Sequence, residues 1–432
     1  MRHCAVTGCI IILAAAAAAP LCAPVSAQTI GAYERGRGHN MLRTVRERLE
    51  KHYYDSSFHG LDLRAAAARA DSQIGVARSN GEIIRVIAGF VQGLDDSHTW
   101  FSPPRRVADV EYGFEMQMIG DSCYVVAVDP ETDAASKGLH VGDRVLALDR
   151  YAPSRADFSL LENAVYELNR RPTVQLDVEG ADGSRRTLEI RAKFTKRPRM
   201  TDLATLLREL ELSGRELFAE GALDQDVSIL RLAWFGARSD IDRVMDRAGK
   251  AGTLILDLRG NPGGLEDGLV RLVGHVFDRH IVVATIRGRR DTRALESRPV
   301  KHPFTGALLV LIDSRSGSSS EIFAYLVQRE GRGAVVGDRS AGAVKRSMFF
   351  EEATGAATLT LYGLWVTVAD VIMPDGVHLE GRGVEPDALV LPTSADLAAG
   401  RDPALAMALT MAGYPTDAAR AGTLLPRRDR GR

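Results

Sequence analysis

Apolar residues at helical spacing dominate the first part of the chain. They recur at three- and four-residue intervals over 41–49, and again over 82–91 after a Ser79-Asn80 capping signal. This pattern predicts helices between residues 39 and 104. The segment Ser102-Pro103-Pro104 ends them, because proline cannot continue a helix.

The hydrophobic pattern changes from about residue 109. Apolar and polar residues now alternate in short runs separated by Gly and Asp turns, at 124–128, 144–148, 174–178 and 187–190. One helical stretch, about 159–169, lies among them. The pattern predicts a compact β-rich module over residues 107–195.

Helical and strand-like segments alternate from about residue 197. The predicted order is helix 203–217, strand 227–232, helix 239–250, strand 253–258, helix 265–277, strands 281–287 and 307–312, and helix 319–331. This alternation predicts a layered α/β core in which helices cover a sheet. A further helix, 395–411, closes that part, so the fold class is α/β within a multidomain α+β chain.

The N-terminal residues resemble a secretory signal. Arg2 gives a basic start, an apolar run follows over 10–19, and Val25-Ser26-Ala27 is a small-residue cleavage site. The run is about ten residues, short of the roughly 20 that span a bilayer, so cleavage is favoured over a retained membrane anchor. We therefore expect an exported protein, periplasmic or extracellular, without a stable membrane span.

The expected organisation has five parts. They are a signal peptide (1–27), a helical domain (28–106), the β-rich module (107–195), the α/β core (196–414) and a flexible tail (415–432). Of four cysteines only Cys123 would remain after cleavage, which excludes an internal disulfide and a Cys-based metal site.

The charge balance points to no particular class of partner. With 55 basic and 56 acidic residues, no global attraction draws the chain to nucleic acid or to a membrane surface. We expect no metal and no other cofactor. The composition leaves homo-oligomerisation open.

Ser318 comes at a predicted strand-to-helix turn, in the segment Ser316-Gly-Ser-Ser-Ser-Glu321. Such a turn projects a hydroxyl out of the sheet, and the helix N-terminus offers unpaired N–H groups to a developing oxyanion. Ser318-x-x-Glu321 is also a capping box, which any helix can use. This segment alone leaves both a nucleophile and a helix cap open.

Three segments together resemble the signatures of the C-terminal-processing (tail-specific) serine peptidases, family S41. They are Asp257-Leu-Arg-Gly-Asn-Pro-Gly-Gly264, the Ser318 segment and Leu379-Glu-Gly-Arg-Gly-Val-Glu-Pro-Asp387, in family order. The resemblance extends across roughly residues 40–410. It implies a ClpP/crotonase-like core, Ser318 as nucleophile, and endopeptidase action on protein or peptide substrates with a free C-terminus.

The base departs from a pattern found in many members of the family, in which a Lys lies 25 residues beyond the nucleophile. That position is Ala343 here, and Lys345 lies two residues further on. A two-residue shift along a strand moves a side chain by about 7 Å. We therefore expect Lys345 at the surface and keep it as the alternative base of a Ser–Lys peptidase.

The segment Gly93-Leu-Asp-Asp-Ser-His-Thr-Trp100 resembles the Ser-His element of the tricorn-like branch of the family. Glu380 falls where that branch has its Glu. The resemblance implies that His98 takes the Ser318 proton, that Ser97 orients the ring, and that Glu380 stabilises the imidazolium. A structural role is the alternative for both His98 and Glu380, and His378 is the reserve base.

An oxyanion hole needs two backbone donors. The resemblance implies the Ser319 N–H as one donor and Gly263 or Gly264 as the other, because a glycine-rich turn lets backbone approach a substrate closely. Asn-Pro-Gly-Gly is also an ordinary turn. Asp257 and Arg259 are interpreted as scaffold.

The β-rich module resembles a PDZ domain. The N–H groups of its Tyr112-Gly113-Phe114 loop are expected to hold the carboxylate of a substrate tail, and an exposed strand edge is expected to pair with that tail. A rigid spacer or lid is the alternative. Two other functions stay open for the whole chain: a catalytically impaired peptide-binding protein, and an esterase on the same scaffold.

Overall fold

The computed structural model describes residues 30–104, 108–168, 170–196, 218–223, 226–249, 251–355 and 360–426. The predicted signal peptide, the predicted helix 203–217 and the basic residues from Arg427 onward lie outside these ranges. Across the described ranges, no helix combines the length and the apolar character needed to cross a bilayer.

Three helices begin the described chain: α1 (Ala32–His52), α2 (Leu63–Val76) and α3 (Asn80–Gln92), with a 3₁₀ turn at Phe58–Gly60. The apolar positions predicted from spacing form their shared core. Ser79 caps α3 by accepting the Glu82 N–H at 3.1 Å, which confirms the capping signal. A short strand, β1 (Trp100–Ser102), follows.

Within residues 108–168 and 170–196, the β-rich module contains seven strands and two short α-helices. In chain order they are β2 (Ala108–Glu111), β3 (Phe114–Ile119), β4 (Ser122–Val128), α4 (Asp133–Ser136), β5 (Arg144–Leu148), α5 (Phe158–Glu162), β6 (Thr173–Glu179), β7 (Arg185–Arg191) and β8 (Lys193–Lys196). The sheet order is β3-β4-β5-β6-β7, so β3 lies at an edge. The predicted helix 159–169 is α-helical only at its start, because 163–168 form a π-helix.

The α/β core and its continuation contain the remaining elements. They are β9 (Phe218–Ala222), β10 (Val227–Leu232), α6 (Arg238–Ala248), β11 (Thr253–Asp257), α7 (Glu266–Val276), β12 (Ile281–Gly288), β13 (Thr292–Ser297), β14 (Ala307–Ile312), α8 (Ser319–Arg329), β15 (Ala334–Gly337), β16 (Lys345–Thr354), β17 (Thr360–Ile372), β18 (Ala388–Leu389), α9 (Ser394–Ala399), α10 (Pro403–Met411) and α11 (Ala418–Ala421).

Two sheets organise this part. Six strands follow the order β18-β15-β14-β11-β10-β9, with β10, β11, β14 and β15 parallel as the strand-helix alternation predicts. In the second sheet the long strand β17 pairs with β16, β12 and the N-terminal strand β1, in the register Trp100↔Trp365. Because β1 pairs with β17, the preceding loop that contains Ser97 and His98 lies next to the α/β core.

The predicted single helix 395–411 is wrong in its middle. Gly400 adopts a left-handed conformation (φ 66°) and ends α9, and the Asp402 side chain caps the new helix α10 by accepting the Leu405 N–H at 2.9 Å. Asp402 also binds the Arg259 guanidinium at 2.8 Å, and Arg259 in turn contacts the fully buried Asp257. Asp257 and Arg259 therefore tie β11 to α10, as expected of scaffold residues.

Candidate active site

Ser318 lies at the turn between β14 and α8 with a strained backbone. Its φ of 51° and ψ of −114° lie in a region of backbone conformation that residues other than glycine rarely adopt. Two hydrogen bonds hold this conformation, since the Ser318 N–H donates to the Ala343 carbonyl (2.9 Å) and to Glu321 Oε2 (3.0 Å). The half-buried Ser318 side chain thus sits at the N-terminal end of α8.

The Ser318 hydroxyl does not cap helix α8. Within the described residues it makes no capping hydrogen bond, and the Glu321 N–H donates to the Ser318 main-chain carbonyl at 3.0 Å instead. The capping-box interpretation therefore holds only for the Glu321 carboxylate, which accepts from the Ser318 N–H. The hydroxyl stays free for chemistry.

Glu321, which the sequence pattern identified only as part of a capping box, also fixes the segment opposite the nucleophile turn. Its side chain is fully buried and accepts four hydrogen bonds, from the Ser318 N–H (3.0 Å), the Ser340 hydroxyl (2.6 Å), and the N–H groups of Gly342 (2.7 Å) and Ala343 (2.9 Å). Burial raises the pKa of Glu321 to about 7, against the effect of these four donors. The carboxyl group fixes segment 340–343 against the nucleophile turn.

Gly263 and Gly264 differ in what their N–H groups can do. The Gly263 N–H donates to Asn261 Oδ1 at 2.8 Å, so it is committed within the turn. The N–H groups of Gly264 and Ser319 donate to no acceptor among the described residues, and the Ser319 hydroxyl lies 3.4 Å from the Gly264 carbonyl. Two uncommitted donors therefore lie close together beside Ser318.

Gly263 also approaches the nucleophile too closely for any other residue. A Cβ atom there would lie 2.6 Å from Ser318 Cβ and 3.0 Å from the Ser319 nitrogen, and the φ of 105° disfavours a side chain in any case. The glycine-rich turn is thus required by the contact with Ser318.

His98 carries a neutral imidazole ring at pH 7. Desolvation lowers its pKa to about 4; the Lys345 charge acts in the same direction and the Asp96 carboxylate opposes both. The ring Nδ1 lies 2.7 Å from the Ser97 hydroxyl. A neutral ring at this position has a lone pair available to take a proton.

Ser97 connects the His98 ring to Glu380. The Ser97 hydroxyl also acts on the Glu380 carboxyl, whose pKa it lowers as a donor would; with its one proton directed to Glu380, Ser97 would accept from the His98 Nδ1–H. This assigns the lone pair of the neutral ring to Nε2. Burial raises the pKa of Glu380, while the hydrogen bond from Ser97 acts against that rise.

Glu380 completes the connection from His98 to the nucleophile turn. Its Oε2 accepts the Val344 N–H at 2.6 Å, and Val344 follows Ala343, whose carbonyl accepts the Ser318 N–H. The structure therefore brings the segments of His98 and Ser318 to the same stretch, 343–344. Within the described residues, no hydrogen bond of 3.5 Å or less joins the His98 ring directly to the Ser318 hydroxyl.

Lys345 is buried, so the expectation of a surface position is wrong. The side chain is 8% exposed, because register pairing of β16 with β17 places Lys345 opposite Asp370. Its Nζ donates to Asp370 Oδ1 (2.8 Å) and to the Tyr54 hydroxyl (3.2 Å). Burial opposes the charge, but these partners outweigh it and raise the pKa of Lys345. The reserve base His378 lies 3.3 Å from the same Asp370.

The loop Tyr112-Gly113-Phe114 lies at the start of the edge strand β3. The side chains of Tyr112 and Phe114 are buried in the module's own core, and Gly113 has a φ of 75° close to Thr132. The backbone N–H groups of this loop are the part that could bind a carboxylate, and that role stays a prediction.

The α/β core covers the edge of β3. The Arg315 guanidinium donates to the Met116 carbonyl and the Ser314 hydroxyl to the Met118 carbonyl, while the Gln117 amide donates to Asp313 Oδ2 at 2.8 Å. Arg315 also lies 3.3 Å from Glu162 of α5. The turn that carries Ser318 therefore covers one of the two outer edges of the module's sheet, a contact that the sequence pattern did not predict.

Comparison with known proteins places this geometry in a family. Residues 226–390 match the model of peptidase family S41. The α/β core belongs to peptidase family S41. One relative of this chain is the "C-terminal processing peptidase, chloroplastic" of Tetradesmus obliquus, 26% identical over 373 residues (80% of this chain, 76% of that protein). Another is the "Carboxyl-terminal-processing protease" of Picosynechococcus sp. (strain ATCC 27264 / PCC 7002 / PR-6), 24% identical over 330 residues (72% and 74%).

Solved structures share the fold of this chain. Mature CPAF aligns with a TM-score of 0.64 at 16% identity, over 85% of this chain and 94% of that chain. The photosystem II D1 C-terminal processing protease aligns with a TM-score of 0.52 at 19% identity, over 88% and 98%. The predicted fold class and family are confirmed, and with them the enzyme class, a serine peptidase.

Proposed function

We propose that this S41 chain is a serine endopeptidase in which Ser318 attacks the scissile carbonyl and His98 takes the Ser318 proton. The observation that carries the proposal is the hydrogen-bonded series from His98 through Ser97 to Glu380, which ends on the segment that binds the Ser318 N–H. A neutral imidazole oriented by a further group is the arrangement that general-base catalysis needs.

The proposed reaction follows the acyl-enzyme sequence. Proton transfer to His98 Nε2 activates the Ser318 hydroxyl, and the imidazolium then protonates the leaving amine. Ser97 passes the stabilising effect of Glu380 to the imidazolium. The free N–H groups of Ser319 and Gly264 are suited to bind the oxyanion, whereas Gly263 serves by leaving room for Ser318. A tightening of the site on substrate binding would join His98 directly to Ser318.

The state of Lys345 argues against a Ser–Lys mechanism. A lysine acts as a base only after it loses its proton, which requires an environment that lowers its pKa. Here the pKa of Lys345 is raised, because the ammonium group is paired with Asp370 and Tyr54. Lys345 therefore fits the role of a structural cation.

Two variants test the assignment of the base. Lys345→Arg keeps a cation beside Asp370 but cannot accept a proton, since a guanidinium stays charged in proteins. We expect Lys345→Arg to retain most peptide turnover and His98→Ala to lose at least about a hundredfold, the contribution typical of a general base. Loss of turnover in Lys345→Arg together with activity in His98→Ala would contradict the proposal.

A fluorophosphonate probe tests whether the serine is activated at all. Covalent labelling that disappears in Ser318→Ala requires a reactive Ser318. Absence of labelling in the native protein would instead support the second candidate, a peptide-binding protein with an inert core, for which the missing Lys at position 343 is the motivating observation. Separate turnover assays with a peptide and a small ester distinguish a peptidase from an esterase.

Substrate selection and location belong to the same proposal. As in a PDZ-like module, the Tyr112-Gly113-Phe114 loop would bind the carboxylate of a substrate C-terminus and the β3 edge would pair with the tail. This binding requires that Arg315 first leave the β3 edge. The signal-like segment 1–27 supports an exported, periplasmic or extracellular enzyme. Protease protection of the protein in intact cells, compared with lysed cells, tests the location.

A further inference from the structure

Asp96 lies two residues before His98, and its carboxylate takes no part in the reaction steps proposed for Ser318 and His98. Its Oδ1 accepts the His98 main-chain N–H at 2.9 Å and the Thr367 hydroxyl at 2.5 Å, and its Oδ2 accepts the Tyr53 hydroxyl at 2.9 Å. Three donors, from the residue just after α1, from β17 and from the His98 loop, thus converge on one side chain. Asp96 fixes the backbone of His98 from the N-terminal side.

The partners of Asp96 are themselves immobilised. Tyr53 and Thr367 are fully buried, and Tyr53 follows directly on helix α1. On the C-terminal side of His98, the Thr99 hydroxyl bonds Thr367 twice, accepting its N–H (2.9 Å) and donating to its hydroxyl (3.0 Å). His98 is therefore held between two residues that are both attached to Thr367 on β17.

Charges of both signs face the His98 ring. The Lys345 ammonium of β16 lowers the pKa of His98, but Lys345 is paired with Asp370 of β17. Glu380 reaches the ring only through Ser97. The carboxylate of Asp96 acts in the opposite direction to Lys345 and favours a charged ring. Other titratable groups around Asp96 and Lys345 are the Tyr53 and Tyr54 hydroxyls, His59, which contacts both of them, and His378, which lies 3.3 Å from Asp370.

We propose that Asp96 is a positioning residue for His98, whose carboxylate holds the imidazole in place on β17 and stabilises the imidazolium formed when the ring takes the Ser318 proton. This inference rests on the proposed function, because it assigns Asp96 a role only if His98 is the base. Asp96 itself exchanges no proton with the substrate.

The variant Asp96→Asn tests the inference, with Asp95→Asn as a matched control. Asp95 is the exposed neighbour in the same loop, and within the described residues its side chain makes no hydrogen bond that positions His98. We expect Asp96→Asn to lower kcat for a peptide, and the rate of fluorophosphonate labelling, by about tenfold with little change in KM. The reason is that His98 without the nearby carboxylate is less basic, and a less basic group is a weaker general base. Asp95→Asn should match the native protein.

The His98 ring provides a readout that a purely structural role would not change. In the phosphonylated protein, where Ser318 carries the adduct, the His98 pKa is measured by NMR with His98→Ala to assign the resonance. We expect Asp96→Asn to lower that pKa by about one unit, the usual effect of removing a nearby opposite charge. Thr367→Val, which keeps the Asp96 charge but removes the hydroxyl that donates to Asp96 and accepts from Thr99, should shift the His98 pKa less.

The outcomes separate this inference from the proposed function. Turnover in His98→Ala would refute the proposed function whatever Asp96 does. An inactive His98→Ala together with native kcat and native His98 pKa in Asp96→Asn would overturn only the inference. Circular dichroism of each variant identifies a folding defect, and a folded Asp96→Asn with an unchanged ring pKa counts against the role of Asp96.

Discussion

A methyl group at position 263 would collide with the nucleophile. In Gly263→Ala the new Cβ would lie 2.6 Å from Ser318 Cβ and 3.0 Å from both the Gly317 carbonyl oxygen and the Ser319 nitrogen. Two of these neighbours are backbone atoms, so the contact cannot be relieved by rotating a side chain. The turn must move by several tenths of an ångström, and Ser318 and the proposed oxyanion donors must move with it.

The expected loss of activity follows from that displacement. Removal of one oxyanion donor typically costs about 10²–10³ in kcat, and a misplacement of about 1 Å costs about 10². We therefore expect Gly263→Ala to lose at least about a hundredfold in kcat. The φ of 105° adds strain of about 1–3 kcal/mol to the folded state.

Gly331→Ala is the matched control. Gly331 also has a positive φ (63°), but among the described residues no atom beyond its chain neighbours lies within 4 Å of the position that its Cβ would take. It should therefore show the conformational cost of about 1–2 kcal/mol without loss of activity. Peptide turnover, fluorophosphonate labelling rate and Tm are measured for both variants. A kcat of Gly263→Ala within about threefold of Gly331→Ala would refute the assignment of this turn to the active site.

Three further predictions concern charge. Lys345→Met should destabilise the protein by up to about 3–5 kcal/mol in thermal unfolding, because it leaves the buried Asp370 with weaker partners, and a native Tm would contradict the buried ion pair. The pKa of His98 is lowered in the folded state, so the unfolded state binds more protons between about pH 4 and 6.5, and stability falls as pH falls through that range. The Tm difference between the native protein and His98→Ala should therefore be smaller at pH 5.5 than at pH 7.5. A difference that does not change with pH would argue against a desolvated ring. Arg315→Gln should raise the affinity of the protein for a fluorescent C-terminal peptide about tenfold, because it removes a charged hydrogen bond that occupies the β3 edge. The control Arg339→Gln should leave that affinity unchanged. Equal affinities of the two variants in anisotropy titrations would contradict a covered edge.

The sequence predicts the parts of this fold that depend on local patterns. Buried parallel strands such as 227–232 and 307–312 appear at the predicted residues, because short runs rich in Val, Ile and Leu between turns have few alternatives. The long strands β16 and β17 were not predicted. Their exposed and buried residues do not alternate regularly, and a register shift between Arg346 and Ser347 breaks the period.

In the candidate site, too, features that depend on neighbours in sequence were predicted and features that depend on distant residues were not. Ser318 and the glycine turn follow from strand-to-helix chemistry and the family resemblance, since both depend on neighbours in sequence. The contacts of Lys345 depend on residues in other elements: its partner Asp370 lies across a strand pair, and Tyr54 lies at the end of α1. Periodicity contains no information on such partners, which explains why a surface position was expected for a buried cation.

The distance from His98 Nε2 to Ser318 Oγ in a covalent complex tests the account most directly. A crystal structure of the protein with a peptidyl phosphonate bound to Ser318 would show the site in its closed form. We predict a separation of about 2.6–3.2 Å, with the phosphonyl oxygen facing the N–H groups of Ser319 and Gly264. A ring that stays out of hydrogen-bond range, with Lys345 Nζ beside Ser318 in its place, would contradict the proposed mechanism.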